Sequence, residues 1–111
     1  RTLALRGADI IAHPSNLILP HCPDAMVTRC IENRVFAVTA NRIGSEQRGD
    51  KEKLPFIGKS QITSPTGEII YRASGDKEEL TVMEIAVERA RDKNLNSFNN
   101  LFNDRKKEFY E

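Results

Sequence analysis

The chain has no tryptophan, only two cysteines and few aromatic residues, 6% of its 111 positions. Cys22 and Cys30 form no Cys-x-x-Cys pair, and no histidine cluster stands near them at zinc-ligand spacing, which argues against a zinc ribbon or a dithiol redox motif. Two isolated thiols read as reduced cysteines of a cytoplasmic protein. Long hydrophobic runs are missing as well. None approaches the ~20 residues of a transmembrane helix, and no signal peptide is visible. There is no glycine-rich phosphate loop and no dinucleotide fingerprint. Neither sign of charge dominates: 17 Lys and Arg against 16 Asp and Glu leave +1, too balanced for an electrostatic nucleic-acid footprint. The chain also lacks an initiator methionine. Arg1 to Gly7 reads as the last turns of a helix closed by glycine, so residues are expected upstream.

What is present is the material of one domain or part of one, 39% hydrophobic and 30% charged. Residues 8–13 form a short apolar run between Gly7 and Pro14, read as a buried strand that Pro14 breaks. A helix is predicted over 23–33, with Pro23 and Asp24 in its first turn, an apolar face of Met26, Val27, Cys30 and Ile31, and Asn33 as its terminator. Residues 35–40, almost continuously apolar, read as a strand covered on both faces. Strand, helix and strand make a β-α-β unit with parallel strands, and the fold class is α/β. A polar loop spans 44–55. Three short strands are predicted at 57–63, 68–73 and 79–86 as an antiparallel meander, with turns at Ser64-Pro65-Thr66-Gly67 and Ser74-Gly75-Asp76. The tail, with Leu95, Phe98, Leu101, Phe102, Phe109 and Tyr110, reads as a short helix or two.

In open α/β sheets ligands sit at the carboxyl ends of parallel strands. That edge receives His13, Ser15 and Asn16 from the first strand and Thr39, Asn41 and Arg42 from the second. Asn16 both donates and accepts, as recognition of an amide requires. The same residues also suit loop capping, and His13 also suits a purely structural role. His21 falls in a surface loop. Neither cysteine has the features of a nucleophile. Cys30 lies on the apolar stripe of its helix, Glu32 faces elsewhere, and Cys22 sits between two prolines. The charged stretches at 46–53 and 104–111 read as solvated faces. No metal constellation is present.

The segment Gly7-Ala8-Asp9-Ile10-Ile11-Ala12-His13-Pro14-Ser15-Asn16 resembles the one that follows the nucleophile in the nitrilase, or carbon–nitrogen hydrolase, superfamily. Four further segments resemble that family in the right order: Arg29-Cys30-Ile31-Glu32-Asn33-Arg34-Val35-Phe36, Ala40-Asn41-Arg42-Ile43-Gly44, Phe56-Ile57-Gly58-Lys59-Ser60 with Ser64-Pro65-Thr66-Gly67-Glu68, and Asp104 through Tyr110. The likeness is to archaeal-type nitrilases acting on small aliphatic nitriles or amides, and it covers nearly the whole chain. It implies a four-layer α-β-β-α sandwich in which residues 1–111 form the C-terminal part and 104–110 a C-terminal helix. It implies a Glu-Lys-Cys triad: the cysteine attacks the nitrile or amide carbon, the glutamate is the general base, and the lysine stabilises the developing negative charge. All three are expected upstream of Arg1, so no catalytic residue is assigned here. Ser15, Asn16 and Leu17 are expected to line the substrate pocket, with His13, Arg29, Glu32, Asn33, Asn41 and Ser60 supporting it. The family implies no metal or organic cofactor. It implies a homo-oligomer, a dimer or larger, assembled through the helix at 23–33 and the tail. A free-standing, non-catalytic α/β domain that binds a ligand or partner at the same polar edge is the rival reading. A nucleotide-binding domain is a weaker one, lacking its glycine fingerprint.

Overall fold

The computed structural model describes residues 1–109. It opens with one helical turn, α1 (Thr2–Leu5). Gly7, at φ 92°, ends α1 in the left-handed conformation. The Gly7 and Ala8 N–H groups donate back to the carbonyls of Ala4 and Leu3, the paired closing bonds of a glycine-terminated helix. Then come β1 (Ile10–Ser15), α2 (Cys22–Asn33) and β2 (Phe36–Asn41). β1 and β2 are parallel, with Ile10 opposite Phe36 and Ser15 opposite Asn41. A small antiparallel pair follows, β3 (Ser45–Glu46) with β4 (Leu54–Pro55). β5 (Gln61–Thr63) and β6 (Ile69–Arg72) complete a four-stranded sheet of order β1-β2-β5-β6, with β5 antiparallel to both neighbours. A single turn, α3 (Glu88–Arg91), and a 3-10 turn at Lys107–Phe109 occupy the tail. No helix among the described residues is long and apolar enough to cross a membrane.

α2 packs on the sheet face that carries Ala37, Thr39, Gln61 and Thr63. Cys30 is fully buried there, and its Sγ lies 4.0 Å from the Thr63 carbonyl oxygen. Buried Gln61 donates to the Pro23 carbonyl at 2.9 Å, tying the first turn of α2 to β5, and accepts from Arg72 at 2.8 Å. On the opposite face, Phe36 is fully buried and the guanidinium of Arg89, in α3, lies 5.9 Å from its ring centre. Complete burial of such a ring contributes about 1.5–3 kcal/mol. The rest of that face is open. Ile10 is 43% exposed and Val38 38% exposed.

Several expectations need correction. β1 and β2 are not covered on both faces, because among the described residues helix packs fully on only one of them. β1 continues through Pro14 to Ser15; it is the edge strand, where a proline's missing donor leaves no ladder bond broken. The strand expected at 57–63 is confined to 61–63, because Gly58 (φ 59°) and Lys59 (φ 54°) are left-handed. The strand at 68–73 shrinks to 69–72.

No strand forms at 79–86. Its apolar residues are present, but no backbone hydrogen bond joins Glu78–Ile85 to another backbone group among the described residues, and Leu80 and Val82 are 95% and 89% exposed. The tail is not helical over 95–106. Its asparagines and aspartates capture nearby N–H groups instead: Asn96 Oδ1 accepts from Phe98 and Asn99, Asn100 Oδ1 from Phe102 and Asn103, and Asp104 Oδ2 from Asn100. Such local bonds compete with helix propagation. The expected C-terminal helix at 104–110 is reduced to the 3-10 turn, and Tyr110 lies outside the described residues.

Candidate functional site

The parallel pair delivers its carboxyl ends side by side. Beyond them, the Arg42 N–H donates to the Ser15 carbonyl at 3.1 Å, carrying the pairing one residue past the ladder. Asn41 is the centre of this edge. Its Oδ1 accepts the Leu17 N–H at 2.7 Å, its Nδ2 donates to the Gly58 carbonyl at 2.6 Å, and its backbone N–H donates to Ser60 Oγ at 2.8 Å. Ser60 Oγ donates in turn to the Asn41 carbonyl at 3.3 Å. Asn41 and Ser60 therefore meet directly, and Asn41 reaches the loop after β1 through Leu17.

A cavity of about 420 Å³ opens beside this edge. It is lined by Asn16 and Ile18 from the loop after β1, by Arg42 and Phe56, and by Glu46, Arg48, Lys51, Glu52 and Leu54 of the β3–β4 hairpin. Arg42 lies 4.4 Å from the Phe56 ring centre and pairs with Glu46 Oε2 at 2.8 Å, while Arg48 pairs with Glu46 Oε1 at 2.5 Å. Arg42, then Arg48, hold the Glu46 carboxyl below the usual carboxylate range. The wall is thus apolar at Ile18, Leu54 and Phe56 and carries fixed charges at its rim. A shallower hollow over Pro14, Ser15, Asn16, Ala40, Asn41 and Arg42 adjoins it. Leu17, expected in the pocket wall, is half-buried and outside both linings; its neighbours Asn16 and Ile18 hold the cavity positions. Ile18, Phe56 and the hairpin were not singled out in the sequence. Phe56 stood in a quoted family segment without a role, and strands of two residues leave no periodicity to detect.

The other expected supports lie elsewhere. His13 is engaged at both nitrogens, Nδ1 with Thr39 Oγ1 at 3.1 Å and Nε2 with Ser15 Oγ at 3.0 Å. Ser15 Oγ also donates to the His13 carbonyl at 3.1 Å, so the ring has no free lone pair to act as base or ligand. Arg29 and Glu32 pair with each other at 2.7 Å, exposed on α2, and neither hydrogen-bonds the loop after β1. Asn33 Nδ2 donates to the Arg29 carbonyl at 2.8 Å, and its Oδ1 has no partner among the described residues. His13, Arg29 and Asn33 instead line a second, apolar cavity of about 210 Å³ between α1, α2 and the sheet, with Leu3, Ile11, Met26 and Cys30. The C-terminal end of α2 is closed from the tail, where Lys93 Nζ donates to the Asn33 and Arg34 carbonyls at 3.0 and 2.7 Å.

Neither thiol is set up as a nucleophile. Burial pushes Cys30 up to about 11, and its Sγ meets only a carbonyl. Cys22 lies half-buried in the first turn of α2. No group of three or more His, Cys, Asp or Glu that could hold a metal ion occurs among the described residues.

Residues 1–94 match the carbon-nitrogen hydrolase family. The chain belongs to this family. It is 51% identical over 110 residues to a nitrilase of Pyrococcus abyssi, with 99% of this chain and 40% of that protein aligned. An (R)-stereoselective amidase of a Pseudomonas species is 32% identical over 80 residues, covering 69% of this chain and 28% of the amidase. The crystal structure of a carbon-nitrogen hydrolase from Helicobacter pylori G27 superposes with a TM-score of 0.75 at 25% identity, over 96% of this chain and 41% of that one. The α/β fold of this chain is thus the fold of carbon-nitrogen hydrolases, and its length is about two-fifths of the first of these relatives.

Proposed function

We propose that this chain supplies a wall of the substrate chamber in a hydrolase of nonpeptide carbon–nitrogen bonds, converting a small nitrile or amide to acid and ammonia. One observation carries the reading. Asn16 and Arg42, from just past the ends of β1 and β2, line one cavity, with Ser15 and Asn41 in the hollow that adjoins it, while neither cysteine of the chain is poised to attack. Asn16 and Ser15 lie at the edge of that chamber, as Asn16 does in the cavity lining itself, and Asn16 is the residue that meets the substrate amide. The Glu, Lys and Cys of the family reaction are supplied from outside these 111 residues. The nucleophilic cysteine forms a covalent acyl-type intermediate that water then hydrolyses.

Assembly as a homo-oligomer, a dimer or larger, is part of the same proposal, through α2 and the tail, where Ile31, Leu95 and Phe98 are exposed. So is a cytoplasmic setting, which keeps both free thiols reduced.

The test is ammonia release from propionitrile and propionamide. The 111-residue chain alone is expected to release none above background, and the whole protein that carries it is expected to release ammonia in a cysteine-dependent way. Turnover by the isolated chain that is lost on replacing Cys22 or Cys30 overturns the reading.

A further inference from the structure

We infer that Asn41 is the positioning residue of this chamber, its single carboxamide holding together two loops that carry the walls. The inference rests on reading the strand-end cavity as the substrate chamber. The walls come from separate stretches of sequence. Asn16 and Ile18 follow β1, Arg42 follows β2, and Phe56 precedes β5. The Asn41 side chain reaches the first and third of these, and its backbone leads directly into the second. Oδ1 accepts the N–H of Leu17, the residue between Asn16 and Ile18, at 2.7 Å. Nδ2 donates to the carbonyl of Gly58, two residues past Phe56, at 2.6 Å.

Backbone bonds complete the frame: Ile57 N–H to the Leu17 carbonyl and Gly58 N–H to the Arg42 carbonyl, both at 3.1 Å. They do not replace the carboxamide. The Leu17 N–H and the Gly58 carbonyl have no other hydrogen-bond partner among the described residues. Only an amide offers the acceptor and the donor together; a carboxylate keeps the first and loses the second. Removing both leaves an unpaired donor and an unpaired acceptor in a part-buried joint, and the two loops are then held to each other by the Ile57 N–H on the Leu17 carbonyl without the carboxamide.

The consequence is selective. A substrate too short to pack on Ile18, Leu54 and Phe56 is indifferent to where those apolar residues sit. One long enough to pack there depends on it, and displacement of a wall by about 1 Å is enough to cost large factors in productive binding. Loss of Asn41 therefore alters discrimination by chain length, which a uniform loss of folded protein does not.

The experiment compares acetamide and hexanamide turnover by the whole protein with Asn41→Ala and Asn41→Asp. For Asn41→Ala the expected result is a fall of about tenfold or more in kcat/KM for hexanamide, carried by KM, with acetamide changed less than about twofold. Asn41→Asp, which keeps an oxygen for the Leu17 N–H but sets a carboxylate against the Gly58 carbonyl, is expected to lose hexanamide turnover as Asn41→Ala does. Equal losses on both amides, no loss on either, or an Asn41→Asp variant as efficient on hexanamide as the unaltered protein would overturn the inference. If the unaltered protein turns over neither amide, the proposed function still stands or falls on its own test, and hydrogen exchange at the Leu17 amide decides the role of Asn41. Exchange that is about tenfold faster in Asn41→Ala and slowed again in Asn41→Asp supports it, and an unchanged rate refutes it.

Discussion

Replacing Gly58 by alanine is the sharpest test of how this edge is built. Gly58 has φ 59°, and a Cβ placed on it would lie 2.5 Å from the Gly75 carbonyl oxygen and 2.8 Å from the Gly75 carbonyl carbon and Cα. All three are backbone atoms, so no side-chain rotation relieves the overlap. Two costs add. The left-handed conformation costs a non-glycine residue roughly 1–2 kcal/mol. Forcing a methyl into a close-packed joint costs about 1–3 kcal/mol more. The expected sum is about 2–5 kcal/mol, a large share of the ~5–15 kcal/mol that keeps a typical domain folded.

Gly49 provides the internal control. Its φ is 58°, nearly the same, yet nothing lies within 4 Å of its Cβ position. Gly49→Ala is expected to show the conformational cost alone. The difference between the two variants, read by urea denaturation of the whole protein, isolates the Gly58–Gly75 approach. Gly58→Ala should also lower activity on long amides, because the Gly58 carbonyl is what Asn41 Nδ2 grips. Equal destabilisation by the two substitutions refutes the packing argument.

Other outcomes are expected elsewhere in the chain. Hydrogen bonding by the Ser74 side chain, then by the Tyr71 hydroxyl and the Ser74 N–H, holds the Glu79 carboxyl down to about 2 from an ordinary 4.5. Its contribution is therefore complete above about pH 4.5 and lost as pH falls towards 2, so Glu79→Gln should lower stability at neutral pH and flatten the acid dependence in that window, the two proteins converging towards pH 2. Cys30, buried and pushed up to about 11, should resist alkylation at pH 8 until the protein unfolds, whereas half-buried Cys22 should react in the native state; mass spectrometry of labelled peptides reads both. The isolated chain should self-associate through its open apolar surface, and Leu80→Lys with Val82→Lys should reduce that association in light scattering, the two side chains being 95% and 89% exposed. A well-behaved monomer with a cooperative melt would count against the last expectation.

The sequence makes the β-α-β unit legible because each part carries its own signal: Gly7 and Pro14 around an apolar run, Pro23 at a helix start, and β-branched and aromatic residues over 35–40. The strand-end rule then leads to Asn16 and Asn41. What it misses depends on distant partners. Residues 79–86 have the composition of a strand, but a strand needs ladder bonds, and this stretch makes none to the open edge of β6 or to any other backbone group among the described residues. The paired turns at Ser45–Glu46 and Leu54–Pro55 are too short for a period to register. The left-handed Lys59 carries no marker of its own. In the tail, hydrophobic spacing favours helix while Asn96, Asn100 and Asp104 favour turns, and the local side-chain bonds prevail. Arg29, Glu32 and Asn33 are close in sequence to one another but not to the loop after β1, a separation that only the packing of α2 reveals.

The hairpin at one side of the chamber has its anchors outside itself. Its base is pinned by the Phe56 N–H on the Gly44 carbonyl and by the Asn41 bond to Gly58, while residues 47–53 make no bond to the sheet. That stretch is an interchangeable module: it can be lengthened, shortened or recharged without disturbing the strands that hold Asn16 and Arg42. Under the proposed function, a grafted hairpin of different composition is expected to alter which compounds the chamber accepts.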